Sequence, residues 1–111
     1  MSAEKRVEQR NGSTLNALFL ELEALEQLYQ TKSGWRLEQA SFTEEPCCYE
    51  ATLVYSKTTG PNLEIHYAAD ELNVEAIEEN LNQKYQTVTH VQTNQFENKA
   101  KILQYRVGTQ K

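Results

Sequence analysis

Apolar positions between Ser13 and Lys32 recur with the period of an α-helix. Leu15, Leu18, Leu22, Leu25 and Tyr29 follow one another at spacings of three, four, three and four, which puts all five on one side. Phe19 and Leu28 widen the stripe, and Glu21, Glu23, Glu26, Gln27 and Gln30 fill the remaining surface. Ser13 or Thr14 can cap the start, and Gly34 can stop the helix. So broad an apolar face needs cover from elsewhere in the fold, because isolated helices of this length are marginal in water.

Beyond Gly34 the period changes to two. Trp35, Leu37 and Gln39 share one face, while Arg36, Glu38, Ala40 and Phe42 share the other. The apolar residues change sides between Leu37 and Ala40, which predicts a bulge or a strand end near Gln39. Cys47, Tyr49, Ala51, Leu53 and Tyr55 then alternate with polar partners, and after a turn-rich connector so do Leu63, Ile65 and Tyr67. Two such runs across a short glycine-containing loop predict an antiparallel hairpin, with Glu64 and His66 on its wet face. Asp70 or Asn73 caps a second helix whose apolar line is Val74, Ile77, Leu81 and Tyr85. Residues 87–93 and 99–107 predict two more strands.

The expected fold class is therefore α+β, two-layered, in the order α-β-β-β-α-β-β. A mainly antiparallel five-stranded sheet would carry both helices on one face. Residues 1–12, with Val7 their one sizeable hydrophobe, are expected as a flexible N-terminal arm, residues 13–107 as a single domain, and residues 108–111 as a tail. No internal repeat is expected in this order. Tyr49, Leu53, Ile65 and Leu103 are the expected cover for the first helix.

Composition narrows the class without naming a function. With 111 residues, 39% hydrophobic and 24% charged, the chain has the make-up of one soluble domain. No apolar run approaches the roughly 18 residues of a membrane span. The first residues mix acids and bases without an apolar segment, and the two cysteines are adjacent, so a reducing, cytoplasmic setting is expected. Net charge is −5, but residues 13–96 hold four bases against 13 acids. So acidic a body repels phosphate backbones, which disfavours nucleic acid as a partner and leaves the two basic ends, residues 1–12 and 97–111, as candidate contacts.

Candidate chemistry is sparse. Neighbouring residues of a strand point to opposite faces, so Cys47 and Cys48 do not converge, and Cys47 is expected in the core. Zinc would want two more ligands at short spacing, and only His66 and His90 are available. Glycines at 12, 34, 60 and 108 make no phosphate loop, and neither a G-x-S-x-G elbow nor an H-x-x-x-H pair occurs. Glu64 and His66 would stand roughly 7 Å apart along one strand face, a surface pair. No catalytic, cofactor-binding or metal site is expected, and no cofactor.

The aromatic and aliphatic surplus points elsewhere. Most of the six tyrosines fall on apolar strand faces, where the ring joins the core and the hydroxyl stays wet. Phe19, Leu20, Leu28 and Trp35 exceed what one sheet face needs and form the candidate partner interface. Glu21 to Tyr29 resembles the opening helix of RWD domains, small α+β protein-interaction modules. The Tyr-Pro signature of that family is absent, and strands stand where its last helices would be. Element order and acidity are also similar to class I secretion chaperones, small acidic dimers that hold an extended partner. Both resemblances imply binding rather than catalysis. The expected function is a non-enzymatic cytosolic protein-interaction module, adaptor or chaperone-like. Its partner is another protein, or a second copy of the chain through the first helix or a sheet edge. The alternative is a small ligand-binding or enzymatic domain with a pocket between helices and sheet.

Overall fold

The computed structural model describes residues 4–32, 34–58, 62–96 and 99–111, and of Glu71 the backbone alone. Its elements are β1 (Lys5–Gly12), α1 (Leu15–Gln30), β2 (Trp35–Glu44), β3 (Tyr49–Lys57), β4 (Asn62–Ala68), α2 (Glu71–Lys84), β5 (Val88–Gln95) and β6 (Lys101–Val107). The chain divides into two compact units, Met1–Gly60 and Pro61–Lys111. Each has a three-stranded antiparallel sheet, ordered β1-β3-β2 in the first and β4-β6-β5 in the second. The α+β class and the antiparallel pairing are as expected. The single five-stranded sheet is not. No helix among the described residues is long and apolar enough to cross a membrane.

The first correction concerns residues 1–12. Lys5–Gly12, expected as an arm, is an edge strand paired with β3 from Lys5↔Ser56 to Gly12↔Tyr49. Its Lys, Arg, Glu and Gln side chains give no apolar alternation, because an edge strand is held by its ladder and protected by charge. The second concerns the hairpin expected between residues 47–55 and 63–67. β3 lies between β1 and β2, so both rows of its backbone groups are used and no edge is left for β4. β4 pairs with β6 instead, from Asn62↔Val107 to Ala68↔Lys101.

In the first unit α1 has the expected buried line of Leu15, Leu18, Leu22, Leu25 and Tyr29. Thr14 caps it, its hydroxyl accepting from Ala17 N at 3.0 Å, and Gly34 turns the chain toward β2 at φ +85. α1 packs on the face formed by Leu37, Ala40 and Phe42 of β2 and Ala51, Leu53 and Tyr55 of β3, all buried. Ile65 and Leu103, expected as cover for α1, belong to the other unit. β2 does bulge between Leu37 and Gln39, where its apolar residues change sides, and then continues to Glu44. At the far end of β1, a Cβ on Gly12 would lie 2.5 Å from Leu18 N, so the missing side chain is what lets strand and helix meet.

In the second unit Asp70 caps α2 by accepting from Asn73 N at 3.0 Å. Ala68, Leu81, Tyr85, Leu103, Tyr105 and Val107 form the core, with Val74, Ile77 and Val88 packed at its margin. Because Leu103 and Tyr105 face α2, register places their partners His66 and Glu64 on that same side.

The two units are copies of one β-α-β-β plan, an internal repeat that the expected element order leaves no room for. Glu-x-Leu-x-Gln-x-Tyr-Gln-Thr occurs at 23–31 and again 56 residues on, at 79–87. The same offset carries the cap Thr14 onto the cap Asp70. It also carries Glu8 onto Glu64. Tyr29 OH donates to Glu8 and Tyr85 OH to Glu64, each pair 21 residues apart. In each hairpin the bulge lies beside the tyrosine of the central strand: Leu37/Gln39 at Tyr55, His90/Gln92 at Tyr105.

Candidate partner-binding surface and a polar layer

α1 has a second apolar line, on the side away from its sheet. Ala17, Leu20, Ala24 and Leu28 are spaced by three, four and four residues, about 16 Å of helix surface. Leu20 is 68% and Leu28 51% exposed, Ala24 is exposed and Ala17 half-buried. At about 100° per residue, Glu21 borders this line on one side, with Gln27 and then Glu23 on the other. The helix contains three glutamates and no lysine or arginine.

The four candidate interface residues do not form one patch. Leu20 and Leu28 share the outer line. Phe19 is half-buried and lies about 100° round the helix from Leu20 and about 180° from Leu28. Trp35, also half-buried, belongs to an aromatic group at the end of α1. Tyr29 stacks on Tyr55 with ring centroids 3.7 Å apart, Trp35 meets Tyr29 edge-on at 5.8 Å, and the Arg6 guanidinium lies 5.3 Å from the Trp35 ring. Burial, with Glu8 accepting its hydrogen bond at 2.6 Å, pushes the Tyr29 hydroxyl up from its ordinary pKa. Sequence pattern marks the surplus on α1 but not its division between two flanks.

Glu64 and His66 of the second unit, expected as a surface pair, lie between sheet and helix. His66 Nε2 lies 2.9 Å from Glu64 Oε1, while the other carboxylate oxygen takes the Tyr85 hydroxyl. The bond to His66 holds Glu64 below the usual carboxylate range, against the opposing effect of burial. Tyr105 OH donates to Glu78 at 3.1 Å, and the His66 and His90 rings meet Tyr105 edge-on at 6.2 and 5.4 Å. His90 Nε2 stands 2.6 Å from Thr93 Oγ1. Burial raises the Tyr105 pKa, helped by the Glu78 carboxylate. No group of three or more metal-ligating side chains occurs among the described residues.

Cys47, expected in the core, is exposed. It precedes β3, in the turn where Glu45 N donates to Cys48 O at 2.8 Å, so strand alternation does not apply to it. The two sulfurs lie 3.5 Å apart. That contact, with Glu45 and Glu50 nearby, pushes the Cys48 thiol up, opposite to what a reactive thiolate needs.

Compared with known proteins, the chain matches no family model, no curated protein and no solved structure.

Proposed function

We propose that this chain is a small, acidic, non-enzymatic protein-interaction module of the cytosol, and that its partner docks on the outer line of α1. The observation that carries the reading is a contrast between the two repeats. Where α1 has Ala17, Leu20, Ala24 and Leu28, α2 has Asn73, Ala76, Asn80 and Lys84. The shared fold thus needs no leucine at these four positions, although α2 has an exposed leucine of its own, Leu72, in its first turn. Two leucines more than half exposed there cost the free chain solubility and add little to its own core.

Benzoylphenylalanine placed at position 20 or 28, and for control at 76 or 84, tests this in cells that make the chain. Photolysis should give larger crosslinked species from the first pair only. Equal yields from both pairs would sink the reading.

A second reading, a ligand or acid–base site in the unit Pro61–Lys111, rests on the same kind of contrast. Glu78, His90 and Thr93 stand where the first unit has the apolar Leu22, Leu37 and Ala40. A small-molecule screen read by the ring resonances of His66 and His90 addresses it. A ligand that moves both rings and is lost in His90→Leu supports this site, and a screen that moves neither removes it.

A further inference from the structure

The chemistry of the partner can be read from the same helix, given that the outer line of α1 is the docking surface. The line is straight and repeats with helical spacing, so the surface that matches it over about 16 Å is another helix laid alongside. Ala17 and Ala24, one heptad apart, leave shallow places on either side of Leu20 into which large apolar side chains of the incoming helix can set.

Charge then selects among helices. Glu21 borders the line on one side, Glu23 lies beyond Gln27 on the other, and α1 contains no lysine or arginine. A second copy of α1 would therefore bring glutamate against glutamate, in either orientation, on a chain already at −5. Like charges facing across an interface are a strong selector against pairing. The complementary occupant has the opposite rim.

We propose that the outer line of α1 receives an amphipathic α-helix of another protein, apolar along the contact and flanked by lysine or arginine. The line itself supplies burial, and the glutamate rims supply partner choice and a salt-dependent rate of encounter.

A displayed library of helical peptides tests this, with leucine fixed at three-four spacing and the flanking positions varied among Lys, Gln and Glu. Selection on the full chain should enrich Lys at the flanks. Lys-flanked peptides should bind at least tenfold more tightly than their Glu-flanked counterparts, and the ratio should shrink in high salt. The variant L20A/A24N/L28K carries the α2 residue at three of the four outer positions and should lose the selected peptides while keeping its circular dichroism and thermal midpoint. Absence of enrichment, enrichment of Glu, or equal binding to that variant would overturn the proposal. A dimer that dissolves in the same variant would overturn it too, in favour of a second copy. Crosslinks from positions 20 and 28 without a basic preference would leave the docking surface standing and remove only its charge selection.

Discussion

Each unit ties the end of its helix to its first strand with one charged hydrogen bond, from Tyr29 to Glu8 and from Tyr85 to Glu64. A hydrogen bond to a charged group contributes about 1.5–3 kcal/mol when its partners are held in place. In the second unit the bond carries a pH dependence. Glu64 ordinarily titrates near 4.5, and His66 holds it lower in the folded state. A carboxyl depressed in this way stabilises the fold above its unfolded pKa, and that contribution fades as pH falls through the folded value. Glu64→Gln should therefore lower stability at neutral pH and flatten the decline of the urea midpoint between pH 5 and pH 3. A decline as steep as that of the parent chain would show that His66 does not hold Glu64. None of this is legible from spacing alone. Leu63 and Ala68 of β4 are both buried yet lie on opposite faces, so alternation cannot say which side of β4 meets the helix. Only pairing with β6 decides it.

Among elements, the two helices and the bulged β2 follow from pattern, because amphipathic period and change of parity are local signals. α1 has its predicted buried residues, and the bulge sits where the apolar positions switch. β1 is illegible for the opposite reason, since its side chains apart from Val7 are polar and what holds it is a backbone ladder with residues far along the chain. The one sequence clue at its end is Gly12. A methyl group there would press on Leu18 N and Leu18 Cα, 2.5 and 2.9 Å away, and backbone atoms cannot swing aside. Overpacking of this kind costs typically about 1–3 kcal/mol. Gly12→Ala should lower the urea midpoint accordingly, with a slope that shows the first unit opening. An unchanged midpoint would mean that β1 does not hold to α1. The α1 outer line is half legible: Leu20 and Leu28 stand out in the sequence, but their separation from Phe19 depends on where the sheet lies.

For the whole molecule, alternation gives the two faces of a strand and not its neighbours. Two clean strands adjacent in sequence, β3 and β4, predict a hairpin, and that one pairing merges two sheets and obscures the repeat. The repeated nonapeptide at 23–31 and 79–87 is plain in the sequence once the units are aligned. It is hard to see beforehand because it falls at the ends of two helices whose other positions differ, and because β1 gives no strand pattern to match that of β4. After alignment each unit serves as a reference for the other. The first has an apolar layer beneath its helix and two exposed leucines outside it. The second has Asn73, Ala76, Asn80 and Lys84 at the matching outer positions, beside the exposed Leu72, and ionisable groups within. One plan has thus been elaborated in two directions, and the proposed binding surface belongs to the first.

The sheet orders have a further consequence for the growing chain. In each unit the strand made last, β3 or β6, is the one that lies in the middle. Until it emerges, the strands before it have no ladder partner, and α1 or α2 has no complete floor. Neither sheet can be built up from one edge, so each unit stays open during synthesis until its last strand, of nine residues in β3 and seven in β6, slots between strands already made. A ribosome stalled at residue 48 would therefore hold a chain with a helix and two unpaired strands. The nine residues Tyr49–Lys57 then complete its sheet.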